Sequence, residues 1–195
     1  LRQHVFNHII LSPFSTRNHF IYHINHEIKN ARQGKKARMI IKMNSLVDEE
    51  MMAKLYEASQ AGVDIKLIIR GICSLKPGIP GLSENIEAIS IVDKYLEHSR
   101  IFYFYHGGKE KIYISSADWM VRNLDRRIEV TCPVYASDIK GELKKMLHIQ
   151  LSDNVKARVL DEVQDNKYVL DKGKPVRAQE AYYYYLKRRK SQIGK

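Results

Sequence analysis

The first half of the chain alternates between the hydrophobic spacing of helices and that of strands. Phe20, Ile24 and Ile28 recur every fourth residue, as on one face of a helix, and Ser15 can cap that helix. Apolar residues at every second position over 63–69 instead indicate a strand. By these criteria we predict helices over 15–33 and 47–60 and strands over 5–11, 38–42 and 63–69.

The second half is richer in strand patterns. Two prolines and two glycines within residues 76–85 indicate a surface loop. Beyond it we predict strands over 86–92, 101–105, 111–114 and 128–134 and helices over 138–151 and 178–190. Because helices separate the early strands while strands outnumber helices, the pattern predicts an α/β fold with a mixed sheet flanked by helices.

Length and composition suit one globular domain. The chain has 195 residues, of which 44% are hydrophobic and 28% charged, and no run of residues is long and apolar enough for a membrane span. We expect a main domain over 1–170 and a basic helical tail of the same domain over 171–195. Cys73 and Cys132 lack a metal-type spacing, which favours buried thiols in a reducing compartment. The opening residues lack a methionine and a leader pattern, so we read the chain as a piece of a longer protein.

The charge is unevenly distributed. Residues 171–195 hold eight Lys/Arg and two acids, so they carry +6 of the net charge of +11. Such an excess favours polyanionic partners, which include nucleic acid, anionic membranes and polyphosphate. Charge alone does not choose among them.

The candidate chemistry centres on His98 and Arg70. A histidine can take or give a proton or a phosphoryl group, and Glu97 could orient it. Arg70 ends an apolar strand, where its guanidinium could grip two phosphate oxygens at a crevice. The alternatives are a plain surface histidine and an arginine that merely caps a strand.

Other polar residues could line the same crevice. Lys42 and Asn44 end an earlier strand, and Ser116 lies beside the strand of His98, together with Ser115 and Asp118. We name Arg122, Asn123, Arg126 and Arg127 the basic rail, because this run could track a long polyanion. A solvated charged face is the alternative for the rail, and Trp119 is interpreted as a core residue.

The histidines near the N-terminus resemble a metal cluster only on paper. His4 and His8 precede a helix that carries His19, His23 and His26, but no carboxylate or cysteine motif accompanies them. We interpret the three helix histidines as ordinary surface residues and assign no metal ligand in the chain.

Four segments resemble the last domain of bacterial polyphosphate kinases. They have the sequences KMNSL (42–46), LIIRGICSL (67–75), SIVDKYLEH (90–98) and SSADWMVRNLD (115–125). The likeness runs from about residue 4 to about residue 190. It implies a phospholipase D-like fold, a superfamily whose half-sites carry His-x-Lys and a downstream hydroxyl/Asn motif. Here the triplet is His-Ser-Arg, so Arg100 replaces the lysine, which favours phosphate holding over nucleophilic attack for this half-site.

The resemblance also implies an activity and its partners. The family reversibly transfers the terminal phosphate of ATP to polyphosphate through a phosphohistidine in the preceding domain, with Mg²⁺. No Gly-Leu-Lys-x-His-Ala-Lys motif of that kind occurs here, so the chain would supply half of an active site and be inactive alone. His98 would be the second, assisting histidine and Arg70 a contact of ATP, with phosphate contacts from Lys42, Asn44, Arg100, Ser116, Arg122 and Asn123. Partners would be ATP or ADP, polyphosphate, the upstream domains and further copies of the full enzyme, without specific nucleic acid, in the cytoplasm or peripherally at a membrane.

Two other functions compete with this interpretation. A different phospholipase D-like phosphodiesterase is disfavoured by the missing lysine. A basic nucleic-acid-binding domain is disfavoured because few aromatic residues accompany the basic run and no recognition helix is evident.

Overall fold

An eight-stranded mixed sheet forms the centre of the molecule. The structure is a computed structural model that describes residues 6, 8–171 and 173–193, with side chains up to residue 190. Within these residues the sheet order is β1-β7-β6-β5-β2-β3-β4-β8. The strands are β1 (Ile10–Ser12), β2 (Arg38–Met43), β3 (Asp64–Ile69), β4 (Ile86–Ile91), β5 (Arg100–Phe104), β6 (Lys111–Ser115), β7 (Glu129–Pro133) and β8 (Ala157–Leu160). The helices are α1 (Thr16–Arg32), α2 (Glu49–Gln60), α3 (Ser137–Leu151) and α4 (Ala178–Ile193).

The strand directions bring several chain segments to one edge of the sheet. Strands β2, β3 and β4 are parallel, whereas β5 runs antiparallel to β2. Strand β6 is antiparallel to β5, and β7 is antiparallel to β6. The ends of β2, β3 and β6 therefore meet the beginnings of β5 and β7 at the same edge, which we call the crevice edge. This arrangement confirms the predicted mixed α/β fold.

Helices cover both faces of the sheet. Helices α1 and α2 pack on one face, where Phe20, Ile24 and Leu55 are fully buried against β2, β3 and β5. Helix α3 covers the opposite face through Leu147, which contacts a cluster that includes Ile40. Each fully buried large apolar side chain contributes about 1.5–3 kcal/mol, so both layers help to hold the strand ends in place.

Most predicted elements are present, with shifted ends. The helix predicted from residue 47 begins at Glu49, because the Asp48 carboxylate accepts a hydrogen bond from the backbone N–H of Met51 at 3.1 Å and caps it. The strand predicted over 5–11 is shorter and lies at Ile10–Ser12; residues 1–5 and 7 lie outside the described residues, and His4 with them. Strand β8 was not predicted.

Helix α4 packs on the body of the molecule. Ala178 is buried in a cluster with Ile91 and Ile149. The carboxylate of Asp153, which is 1% exposed, accepts a hydrogen bond from the Ala178 backbone N–H at 2.7 Å. The beginning of the basic helix is therefore fixed to the turn between α3 and β8.

The interpretation of the α1 histidines as surface residues is wrong for His23. This residue is 3% exposed, and its Nε2 lies 2.8 Å from the Tyr113 hydroxyl and 3.2 Å from Nε2 of His19. Its ring also stacks on Phe104. Burial, joined by nearby positive charges, lowers the pKa of His23 to about 3. His23 is thus a neutral core residue at physiological pH.

Three smaller expectations concern the core and the membrane. Trp119 is fully buried, as predicted. Cys73 and Cys132 were expected to be buried, but both are free thiols that are only half-buried. None of the helices in the described part of the chain is long and apolar enough to cross a membrane.

Candidate functional site

Five polar residues from four strand ends meet at the crevice edge. Asn44 follows β2, Arg70 follows β3, His98 and Arg100 stand before and at the start of β5, and Asp118 lies shortly after β6. Four of them, Arg70, His98, Asn44 and Arg100, are sequence-predicted site residues, and the fold brings them into contact with one another. We call these five residues the crevice network.

Asp118 is the buried acid of the crevice network. Its carboxylate accepts hydrogen bonds from Arg100 Nε at 3.1 Å and Nη2 at 3.0 Å, and from the Asn44 backbone N–H at 2.8 Å. Burial alone would raise the pKa of Asp118, but the hydrogen bonds from Arg100 and Asn44 outweigh it and lower the pKa. The side chains of Arg100 and Asp118 are 11% and 9% exposed, so the pair is a largely desolvated, bidentate salt bridge.

Arg100 therefore reaches the site indirectly. Its Nη1 donates a hydrogen bond to the backbone carbonyl of His98 at 2.9 Å. Because Asp118 already occupies the other side of the guanidinium, the geometry favours Arg100 as a support for the His98 backbone. Its predicted phosphate contact stays a prediction.

Arg70 closes the crevice network into a ring. Its Nε donates to the side-chain carbonyl of Asn44 at 3.0 Å, and its Nη2 lies 3.5 Å from Nδ1 of His98. A guanidinium can only donate hydrogen bonds, so Nδ1 of His98 is the acceptor in this contact. The neutral ring then carries its proton on Nε2, and the exposed side chain can present that proton to a ligand.

The close approach of β2 and β3 depends on Gly71. Its backbone N–H donates to the Asn44 carbonyl at 2.7 Å, and a Cβ built on Gly71 would lie 2.8 Å from that same oxygen. A side chain at this position would push the two strand ends apart. Because Gly71 has no side chain, Asn44 and Arg70 can approach each other closely.

Lys42 lies beneath the site, where ligands have little access. It is 2% exposed, and its Nζ contacts the Ser99 carbonyl at 3.3 Å and Glu97 at 3.4 Å. Burial lowers the pKa of Lys42, although Glu97 opposes this effect.

Glu97 does not orient the His98 ring, as the sequence suggested it could. Its carboxylate instead accepts hydrogen bonds from Gln150 of α3 at 3.0 Å and Gln179 of α4 at 3.3 Å, besides its contact with Lys42. Glu97 therefore faces helices α3 and α4, whereas the His98 ring lies against Arg70.

Ser116 and Asn123 form a separate buried cluster with Glu129. The Asn123 amide donates to Glu129 at 2.6 Å, and the Ser116 hydroxyl donates to the other carboxylate oxygen. Asn123 is 4% exposed, and its Oδ1 has no hydrogen-bond partner among the described residues. These two residues support the turn after β6, and the structure does not bring them into contact with Arg70 or His98.

The arginines of the basic rail are exposed on a short π-helical turn, Arg122–Arg126, and at the residue that follows it. Arg17 at the start of α1 holds this turn, because it forms ion pairs with Asp125 at 2.7 Å and with Asp48 at 2.6 Å. The rail thus lies at the crevice edge, attached to the first turns of α1 and α2. Single π-helical turns occur frequently at functional sites.

The crevice network does not provide a metal site built from protein ligands. The described residues contain no group of three or more His, Cys, Asp or Glu side chains arranged to hold a metal ion. The one carboxylate of the network, Asp118, is engaged by Arg100 and Asn44. A divalent cation would therefore need oxygen ligands from elsewhere, such as phosphates.

Comparison with known proteins identifies the family. A family model described as "Polyphosphate kinase C-terminal domain 2" matches residues 9–179. The chain belongs to this polyphosphate kinase family. It is 50% identical over 184 residues to the polyphosphate kinase of Vibrio vulnificus (strain YJ016), covering 93% of this chain and 26% of that protein. The crystal structure of polyphosphate kinase from Porphyromonas gingivalis superposes with a TM-score of 0.94 at 46% identity, covering 96% of this chain and 29% of that chain.

The comparisons also show the fold and the share of the relatives' length that the chain covers. A phospholipase D family member, Nuc from Salmonella typhimurium, matches with a TM-score of 0.55 at 11% identity, covering 78% of this chain and 96% of that one. This likeness supports the phospholipase D-like fold. The chain spans about a quarter of the length of the curated polyphosphate kinases that it matches.

Sequence reasoning underestimated two residues of the site. Asp118 was noted only as a carboxylate near His98, and Arg17 was not noted at all. The Arg-for-Lys replacement at Arg100 could have indicated a buried acid, because a desolvated arginine requires a carboxylate partner. Nothing local in the sequence links Arg17 to Asp125, which is 108 residues away.

Proposed function

We propose that this chain is the C-terminal half of a polyphosphate kinase active site, which reversibly transfers the terminal phosphate of ATP to inorganic polyphosphate. The phosphohistidine of the reaction would be supplied by the preceding domain of the full-length enzyme. The observation that carries the proposal is the contact between Arg70 and the exposed His98 at the crevice edge.

Arg70 would hold the phosphates of the nucleotide. Its Nε is fixed by Asn44, and this orients the planar guanidinium before a ligand arrives. A fixed cation at this point stabilises the charge that develops on phosphoryl oxygens during transfer.

His98 would assist the transfer through Nε2, the ring nitrogen that does not face Arg70. With Nδ1 accepting from Arg70, the neutral ring can donate its Nε2–H to a phosphate oxygen as a nucleotide contact; to act as a general acid it would first take up a second proton at Nδ1. Arg100 and Asp118 fix the His98 backbone, and the three exposed rail arginines would hold successive phosphates of the polymer.

Mg²⁺ remains part of the proposal for the full-length enzyme only. The residues that the structure describes do not form a cage for it, so we assign no ligand here. When bound through phosphate oxygens, the cation would neutralise part of the charge of ATP.

The decisive experiment substitutes both residues in a full-length polyphosphate kinase that carries this chain. We expect His98→Ala to lower kcat about 10²–10⁴-fold, the usual loss of a general acid or base. Arg70→Lys should raise KM for ATP or lower kcat, because lysine keeps the charge but loses the planar fork. Exposed Lys35→Arg in the turn before β2, at the opposite end of that strand from Asn44, is the control and should leave both parameters unchanged. Near-normal kinetics of both variants would refute the proposed roles.

A binding competition separates this function from nucleic-acid binding. Polyphosphate should displace a labelled oligonucleotide from the isolated chain, whereas nucleic acid should not displace polyphosphate. The isolated chain with ATP and Mg²⁺ should make no polyphosphate, and robust synthesis would contradict the half-site.

A further inference from the structure

The loop that carries His98 has few apolar anchors. The side chains of Val92, Tyr95 and Leu96 are 69%, 65% and 72% exposed. Strand β4 ends at residue 91 and β5 begins at residue 100, so the sheet ladder does not extend through the loop. A segment with few buried apolar contacts opens at low cost. The position of His98 therefore depends on the polar contacts of residues 92–98.

Gln179 of helix α4 provides the central polar contact. Its Nε2 donates to the backbone carbonyl of Tyr95 at 2.8 Å, and the backbone N–H of Tyr95 donates to its Oε1 at 2.9 Å. One amide side chain thus satisfies both backbone groups of one residue, as a neighbouring strand would. The same Nε2 lies 3.3 Å from Glu97.

Arg177 provides a second contact at the beginning of the loop. It donates from Nε and Nη2 to the two carboxylate oxygens of Asp93, at 2.8 Å and 2.7 Å. The Asp93 side chain is 3% exposed, so its carboxylate is shielded from solvent. Hydrogen bonding from Arg177 lowers the pKa of Asp93, which keeps the pair ionised at physiological pH.

The helix end that makes these contacts is itself rigidly attached. Asp153 accepts a hydrogen bond from the backbone N–H of Ala178, the residue between Arg177 and Gln179. Asn154 also exchanges two hydrogen bonds with Val176, at 2.7 Å and 3.1 Å. A fixed helix end can restrain a loop, whereas a free tail could not.

We propose that Arg177 and Gln179 form a clamp that positions the His98 loop for phosphoryl transfer. The clamp joins the beginning of the C-terminal helix to a loop 84 residues earlier in the chain. Both are positioning residues, since they act through Asp93 and Tyr95 and do not touch the substrate. The role in catalysis rests on the function proposed for His98, whereas the restraint of the loop does not.

Hydrogen exchange of the isolated chain tests the restraint without any activity. Gln179→Met keeps the approximate length and packing of the side chain but removes both the carbonyl and the NH2 of its amide. We expect the Tyr95 amide to exchange at least about tenfold faster in this variant, with β2 and β3 unchanged. Gln60→Met is the matched control, because it removes a side-chain hydrogen bond to the Gly81 carbonyl at the far end of α2. Unchanged exchange at Tyr95 in Gln179→Met would overturn the clamp.

Kinetics of the full-length polyphosphate kinase test the positioning. In Gln179→Met we expect kcat to fall about tenfold, the scale of a small misplacement of a catalytic group, with KM for ATP nearly unchanged because Arg70 is untouched. Faster loop exchange with unaltered kcat, in an enzyme that His98→Ala inactivates, would refute positioning while leaving the proposed function intact. If His98→Ala is also fully active, both the positioning and the proposed function fail.

Discussion

At the residue scale, Asp118 shows how a single carboxylate organises a site that it does not enter. It pairs with Arg100 and accepts a hydrogen bond from the Asn44 backbone. Arg100 in turn supports the His98 backbone, and Asn44 supports the Arg70 side chain. Its low pKa keeps it ionised through the physiological range. Substitutions within this ring should be non-additive, because each contact restrains the next.

His23 gives a stability prediction that depends on pH. In the unfolded chain a histidine binds a proton below about pH 6.5, whereas folded His23 stays neutral down to about pH 3. The folded-state pKa is depressed, so this stability is present above pH 6.5 and is lost as the pH falls from there. The free energy of unfolding should decline by up to about 1.4 kcal/mol per pH unit from this residue.

Urea unfolding at pH 7, 6 and 5 measures this effect. His23→Phe should cost about 1 kcal/mol at pH 7, because Tyr113 loses its partner, but the variant should lose less stability on acidification. Exposed His8→Phe serves as the control and should keep the wild-type slope. An identical slope for His23→Phe would mean that His23 is not buried in its neutral form.

The sequence alone identified which residues belong to the site better than it identified the residues that they contact. Arg70 and His98 were predictable because each stands at the end or the start of an apolar strand. The direction of Glu97 was not, because its partners Gln150 and Gln179 are 53 and 82 residues away. Burial of His23 was also hidden, since the helix pattern showed a histidine face without showing what packs on it.

At the element scale, the close packing of β2 and β3 at Gly71 can be tested by comparing alanine substitutions at two glycines. We expect opposite effects on stability at Gly71 and at Gly141 of helix α3. Gly71→Ala places a methyl group against the Asn44 carbonyl, so we expect a loss of about 1–3 kcal/mol in the free energy of unfolding, with weaker ATP use in the full-length enzyme. Gly141→Ala lies within α3, where no atom is within 4 Å of the added Cβ. It should stabilise the chain by about 0.5–1 kcal/mol. Equal effects of the two substitutions in urea unfolding would contradict the packing argument.

The elements themselves were predictable where periodicity is long. Helix α1 carries three apolar turns on one face, and β3 alternates over its first four residues before two further buried isoleucines. Strand β8 was missed because four residues with one arginine give little pattern. In β7 the alternation indicated a strand but not its orientation: Thr131 is buried, whereas Val130 is 38% exposed.

At the scale of the whole molecule, the positive charge divides between the basic rail and helix α4. Removing residues 171–195 would also remove Ala178 from its buried cluster, so point substitutions are the better test. We expect replacement of Arg122, Arg126 and Arg127 by glutamine to weaken polyphosphate binding and to lower the log–log salt slope by about 2.

The matched variant replaces three exposed α4 residues, Lys187, Arg188 and Lys190, by glutamine and should change the slope less. Binding is measured by titration of the isolated chain at several salt concentrations. A larger loss in the α4 variant than in the rail variant would show that polyphosphate follows the C-terminal helix.

The outer strands of the sheet bear on how the protein behaves when it is concentrated or heated. Strand β1 has only three residues. The outer side of β8 is paired with the segment 167–169, through backbone hydrogen bonds from Val159 to Lys167 and from Val169 to Ala157. Little backbone is therefore left within the described residues for another molecule to extend the sheet. We infer that aggregation of this domain is limited by its unfolding rate and not by edge-to-edge strand addition from the native state.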